Sequence, residues 1–347
     1  MKLSEFRYQL PKNSIAKFPA DPRDSSRLMI IDRHTGEFKD KKFSDILNFF
    51  QKGDCLVINQ TKAYPARLYG KKEKTNAKIE VMLLRELRSE ERIWDVLVEP
   101  ARKVRIGNKI YFDNNKFYCE VVDNTTSRGR TVRFSYDGNL FKIIEKIGEM
   151  PLPEYIKREP NEHDKETYQC VFANNDYLAS IAPPTAGLHF TKEMMKAIEE
   201  KGVRIAKVVV YIGQGVFENI EVEDLTKHRM YSEYFEIPRE SAELINKSLK
   251  SKKNVYSVGA SAVRALESSV LTSGTVKPNR GWTDKFIYPP FEFKITTRFI
   301  TNFHPPASPS LLMSSAFAGK DLNLKAYKHA LKNDYRFLAY GDAVMII

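Results

Sequence analysis

Residues 180–191 read SIAPPTAGLHFT: a strand end, a Pro-Pro-Thr-Ala-Gly loop that the prolines keep out of helix, a histidine, and a helix start at Thr191. Strand, loop and helix N-terminus in that order is the grammar of an open α/β sheet. There, backbone N–H groups and the helix dipole converge on a ligand beyond the strand ends. Outward from this stretch the alternation repeats. Lys192 to Lys201 is expected as a helix closed by Gly202, VRIAKVVVYIG as a long buried strand ending in GQG, and NVYSV as a short one running into GASAVRALES, with Ser261 as helix N-cap. FKITTRFITNFH then reads as a strand, SPSLLMSSAFAG as a helix with Ser308 as cap and Gly319 as stop, and AVMII as a last strand. Upstream, Leu28 to Asp32 and CLVIN (residues 55–59) read as strands, with a helix over Phe43 to Gln51 between them.

The texture changes between Gly70 and Glu149. KIEVMLLRE, RIWDVLVEP, KIYF, KFYCEVV and RTVRFSY are short, alternate apolar and polar residues, and are separated by polar or Gly/Asn turns. Five or six such strands in about 80 residues predict a small antiparallel barrel or sandwich. The expectation is therefore a discontinuous α/β domain of mixed sheet and flanking helices, residues 1–69 and 150–347, interrupted by an inserted β domain over 70–149.

The 347 residues hold 56 Lys and Arg against 44 Asp and Glu, a net charge of +12. This excess has two readings: a polyanionic partner whose counterions are released on binding, or simply a lysine-rich solvated surface. Arg102, Lys103, Arg105, Arg128, Arg130 and Arg133 cluster within the β region as phosphate-contact candidates. No apolar run approaches bilayer length, and MKLSEFRYQLPKN lacks a signal-peptide core, so a cytoplasmic protein without membrane contact is expected. The three cysteines are widely separated and the six histidines lack ligand spacing, which argues against disulfides and a metal site. GQGVFE carries Glu218 where a dinucleotide fingerprint needs its third glycine, and no P-loop or G-x-S-x-G elbow occurs.

Four loops, PPTAGLHF, GQGVF, VGASAVR and TNFHPP, are expected at the carboxyl ends of one sheet and hence around one crevice. Ala186, Gly187, Gly213, Gly215 and Gly259 allow close ligand approach. Thr185, His189, Ser261, Arg264, Asn302 and His304 supply polar groups, and Asn59 and Arg67 flank the end of CLVIN. HRMYSE adds Glu233. Arg264 suits a ligand carboxylate and Glu233 an ammonium or sulfonium cation. Spacing alone equally allows structural parts for them: a loop histidine as hydrogen-bonder, a helix arginine in a salt bridge.

PRDSSRLMIIDRHTGE, VINQTKAYPARLYGKK, IGEMPLPEYIKR, APPTAGLHFT, HRMYSE, VGASAVRALES, GWTDKFIYP, TNFHPP, LLMSSAFAG and YRFLAYGDA, in this order, make the chain resemble the S-adenosylmethionine:tRNA ribosyltransferase-isomerase family of queuosine biosynthesis along its whole length. The resemblance implies an α/β domain with an inserted barrel. It implies a transferase-isomerase that moves the ribosyl part of S-adenosylmethionine onto 7-aminomethyl-7-deazaguanine at the tRNA wobble position, forming epoxyqueuosine and releasing adenine and methionine. S-adenosylmethionine is then a consumed substrate and no cofactor is implied; tRNA is the partner, and a monomer is expected. The reaction needs a base for the ribose C5′ proton and an acid for adenine. His189, Glu233 and His304 are the catalytic candidates, with Arg264, Ser261, Thr185, Asn302 and Asn59 holding substrate. Gln60, Lys62, Tyr231, Ala260 and Ala262 depart from the family's usual pattern, which keeps a non-catalytic tRNA-binding paralogue as the alternative.

Overall fold

CLVIN has no polar side chain before its last position, as a strand covered on both faces requires. In the computed structural model, which describes residues 1–113, 116–216 and 218–347, the Cys55–Asn59 strand is buried throughout. Arg204–Val210 and Val255–Val258 pair with it in parallel on either side, and Arg298–Asn302 continues the parallel set. The sheet has nine strands in the order Asn279–Thr283, Glu233–Ile237, Arg204–Val210, Cys55–Asn59, Val255–Val258, Arg298–Asn302, Ala343–Ile346, Arg27–Ile31, Phe38–Lys42, with antiparallel pairs towards both margins. Strand side chains alternate between faces. Leu56 and Ile58 thus pack with Met194 and Ile198 of the Lys192–Glu200 helix, while Cys55 and Val57 pack with Ile245 and Ala265 of the Arg239–Lys250 and Gly259–Ser268 helices. A mixed sheet with helices on both faces follows, as the alternating pattern predicts.

The β region closes into a six-stranded antiparallel barrel whose strands run from Arg67–Lys72 to Gly129–Ser135. Alternation places Ile79, Val81, Leu83, Trp94, Val96 and Val98 inside, and closure leaves no open edge. The Leu140–Ile147 helix, capped by the Asn139 side chain accepting from Lys142 N, adds Leu140 and Ile144 to the same core.

Several local expectations change. Leu178–Ser180 does not join the large sheet but pairs with Lys62–Ala63 in a two-stranded sheet beside it. After the extended Pro184, Thr185–His189 winds into a turn of 3-10 helix rather than staying a non-helical loop. Prolines restrict the residues before them, but Thr185 onward has no such constraint. The Thr191 cap is as expected, its hydroxyl accepting from Met194 N at 3.1 Å. Ser261 is not a cap: the helix starts directly at Gly259, whose φ of +82° turns the chain from strand into helix without a loop residue. Phe43–Phe49 is 3-10 rather than α. Phe217, the last residue of the expected GQGVF loop, lies outside the described residues. The cysteines are buried and free: Cys55 in the sheet–helix layer, Cys119 in the barrel and Cys170 behind the 3-10 turn. Among the described residues no helix is long and apolar enough to cross a membrane.

Candidate active site

Because the four central strands are parallel, their carboxyl ends, Asn59, Val210, Val258 and Asn302, share one sheet edge. Beside it lies a cleft of about 660 Å³, walled by Thr185 and Ala186 of the 3-10 turn, Gly215, Glu233, Gly259, Ser261, Arg264, Asn302 and His304, and closed from the barrel side by Arg67, Glu80, Leu97 and Arg128. The loops after three of the four large-sheet strands therefore meet as expected, and the fourth wall comes from the small sheet. The volume suits a ligand of nucleoside size.

Asn59, Gly187, Gly213 and His189 stand outside this wall. The Asn59 amide staples strand ends together, donating to Val210 O at 3.0 Å and Ser261 Oγ at 3.2 Å while its Oδ1 accepts from Val210 N and Thr61 N. Gly187 is a packing requirement: a Cβ there would come within 2.5 Å of Phe172 Cζ and 2.7 Å of Cys170 Sγ.

His189 is buried against Phe43. Its Nδ1 lies 2.8 Å from Ser26 Oγ and its Nε2 3.2 Å from Asn302 Nδ2. An amide nitrogen only donates, so Nε2 accepts and the proton is on Nδ1, given to Ser26. Burial, helped by the Arg336 and Arg23 charges, pushes the imidazole pKa down to about 3, so the ring is neutral. Asn302 Nδ2 also reaches Leu338 O at 3.3 Å. With its amine end held this way, the amide keeps Oδ1 as a buried acceptor without a partner among the described residues. His189 thus orients Asn302, and Asn302 faces the cleft.

Arg264 and Glu233 neutralise one another in a buried ion pair. Glu233 also accepts from Gly213 N at 3.2 Å, and Arg264 donates to Thr283 O at 2.9 Å. Burial pushes the Glu233 carboxyl up against the pull of the guanidinium. Neither charge is free for a ligand ion as expected from spacing, but Arg264 lines the cleft and its buried Nε has no hydrogen-bond partner among the described residues. Two residues of the wall thus each keep one buried polar atom unpaired, a donor on Arg264 and an acceptor on Asn302.

His304 is half-buried, with Nε2 2.7 Å from Thr301 Oγ1, and among the described residues its Nδ1 makes no hydrogen bond. Burial pushes its pKa down to about 3. Arg67 pairs with Glu80 at 3.3 Å and Arg128 with Glu99 at 3.4 Å at the cleft's barrel side. Arg102, Lys103 and Arg105 are exposed. Arg130 is not a phosphate contact: its buried guanidinium points inward and is satisfied by the carbonyls of Ala101, Val104 and Gly129. Of the departing residues, Ala262 lies in the sheet–helix core, Ala260 lines the cleft, and Lys62 Nζ donates to Asn175 Oδ1 at 2.8 Å.

Sequence reasoning missed two supports. Arg23 ties the 3-10 turn to the segment before it, donating to Gln169 O at 2.6 Å, Glu166 O at 2.8 Å and, in the turn, Leu188 O at 3.5 Å. Arg158 clasps buried Asp164 at 2.6 and 2.7 Å, with Tyr340 Oη 3.1 Å from the same carboxylate. Both arginines stand in motifs already singled out, PRDSSR and YIKR, whose charges had no partner assigned.

The sequence matches a family model described as queuosine biosynthesis protein over residues 3–346. It is 55% identical to the S-adenosylmethionine:tRNA ribosyltransferase-isomerase of Chloroherpeton thalassium and 54% identical to that of Cytophaga hutchinsonii, with 100% of both chains covered in each case. The crystal structure of an S-adenosylmethionine tRNA ribosyltransferase from Thermotoga maritima is similar at 32% identity and a TM-score of 0.56, covering 99% of this chain and 100% of that one.

Proposed function

The chain belongs to the queuosine biosynthesis protein family, and on that premise we propose that it transfers and isomerises the ribosyl part of S-adenosylmethionine onto 7-aminomethyl-7-deazaguanine at the wobble position of tRNA, giving epoxyqueuosine and releasing adenine and methionine. The observation that carries the reading is the cleft at the parallel strand ends, where two lining residues, Asn302 and Arg264, hold a buried acceptor, Oδ1, and a buried donor, Nε, that are unpaired among the described residues. That pair matches the ammonium and carboxylate of a methionyl group. Thr185 and Ser261 supply hydroxyls for the ribose.

A base must take the C5′ proton, which the neighbouring sulfonium acidifies. His304 is the wall residue that fits by position: it lines the cleft, and Thr301 holds Nε2 so that Nδ1 is left for the substrate. Glu233 is engaged by Arg264 and His189 lies behind Asn302, so neither takes that proton.

Incubation with S-adenosylmethionine and tRNA bearing the deazaguanine precursor is expected to release adenine and methionine in equal amounts. Folded protein that binds tRNA without releasing adenine would instead identify a non-catalytic member of the family.

A further inference from the structure

Seven buried side-chain polar atoms among the described residues have no hydrogen-bond partner, and three of them, Tyr64 Oη, Trp94 Nε1 and Asp95 Oδ1, belong to residues lining one second cavity. It has a volume of about 500 Å³ and lies between the barrel strands Lys78–Arg88 and Ile93–Glu99 and the sheet strands Glu233–Ile237 and Asn279–Thr283. Leu97, Tyr231 and Glu233 are common to it and the main cleft, so the two cavities adjoin. Tyr64 and Trp94 are only 1% and 2% exposed. Leaving such groups unpaired is costly, and ligand sites are where folds tolerate it.

The walls favour a flat ring. Tyr211 and Tyr234 stack with centroids 5.0 Å apart, Trp282 meets Tyr234 edge-on at 5.9 Å, and the Arg85 guanidinium lies over Trp282 at 5.5 Å. Trp282 is 57% exposed, an aromatic left at the mouth of the slot. Aromatic faces of this kind stack nucleobases.

The carboxylate chooses among bases. Asp95 Oδ2 is 3.9 Å from Arg85 Nε, whereas Oδ1 is buried and unpaired among the described residues. A carboxylate only accepts, and its two oxygens take two adjacent N–H donors together. Adenine and cytosine put an exocyclic amine beside a ring acceptor, and uracil puts its ring N–H between two carbonyls. Only a guanine-type base presents a ring N–H next to an exocyclic amine.

We infer that this slot seats a guanine-type base swung out of a nucleic-acid strand, with Asp95 reading its N–H edge and the remaining edge turned past Glu233 towards the main cleft. Unstacking is what chemistry on a base requires. The inference rests on the tRNA reading above for the source of the base, and adds the place and the residue that recognise it.

Trp94 and Trp282 are the two tryptophans of the chain and both line the slot, so intrinsic fluorescence reports its occupancy. Titration of the full chain with free 7-aminomethyl-7-deazaguanine is expected to quench that emission saturably, with hypoxanthine, which lacks the exocyclic amine, weaker and adenine without effect. Asp95→Asn should weaken binding by about ten- to a hundredfold. Trp282→Ala, at an exposed wall, should also weaken it, with Trp94 still reporting. Equal quenching by adenine, or an unchanged Kd in both variants, overturns the slot. Adenine release from S-adenosylmethionine with modified tRNA separates the two readings. Turnover with an unchanged KM for tRNA in Asp95→Asn removes the slot alone; saturable, Asp95-dependent base binding without turnover removes the ribosyl-transfer reading alone.

Discussion

His189→Gln keeps an acceptor for the Asn302 amide, whereas His189→Leu does not, so the two variants separate orientation from proton transfer. The leucine variant is expected to raise the KM for S-adenosylmethionine about tenfold or more with a smaller change in kcat, as loss of a hydrogen bond to substrate would. The glutamine variant should retain most activity. The same buried ring sets a pH signature. Its folded pKa is about 3 against an ordinary 6.5, so between those values the unfolded chain binds the extra proton. The stability involved is complete above about 6.5 and is lost as pH falls towards 3, at up to about 1.4 kcal/mol per pH unit. Denaturant midpoints between pH 4 and 7 should fall less steeply in His189→Gln than in the wild type. At the Arg264–Glu233 pair, Glu233→Gln leaves a buried guanidinium without its counter-charge, which should cost about 3–5 kcal/mol in urea unfolding. Adding Arg264→Met should recover part of that loss.

Element by element, the strand-to-helix junctions hold the site. Gly259→Ala forces a side chain onto a backbone at φ +82°, which should cost about 1–2 kcal/mol, while Gly213→Ala, where an added Cβ meets nothing within 4 Å, should stay within about 0.5 kcal/mol. Thermal unfolding of the two variants tests the contrast. The continuous run of Cys55–Asn59 and the alternation of Lys78–Arg88 were enough to read sheet and barrel, because burial on two faces or one leaves its period in the residues. Of residues 180–191, Pro183 to Ala186 line the cleft, whereas His189 stands behind it. Their details were not legible, since a turn of 3-10 helix has no period of its own. Ser26 meets His189 from 163 positions away, and Asn59 meets Ser261 from 202. No local signal said that a neighbour would arrive to occupy His189, or that Arg264 and Glu233 would answer each other rather than a ligand.

At the scale of the whole molecule, the excess of 12 positive charges predicts salt-sensitive tRNA binding. Replacing exposed Arg102, Lys103 and Arg105 by alanine should lower the slope of log K against log salt by about 2–3 if all three meet phosphates. The inward-facing Arg130 should instead reduce stability when replaced, which a binding isotherm and a melting curve distinguish. The three thiols are distributed so that each guards a different region. Burial pushes Cys55 up to about 12 and Cys119 and Cys170 higher still, so none reacts while its surroundings stay closed. Alkylation, site by site and read by mass spectrometry, is then a set of clocks on local opening. Barrel breathing advances Cys119 without Cys55. Cys170 packs beneath Pro184, the residue before the cleft's 3-10 turn. A ligand settling against that turn should slow the Cys170 clock and leave the Cys119 clock running.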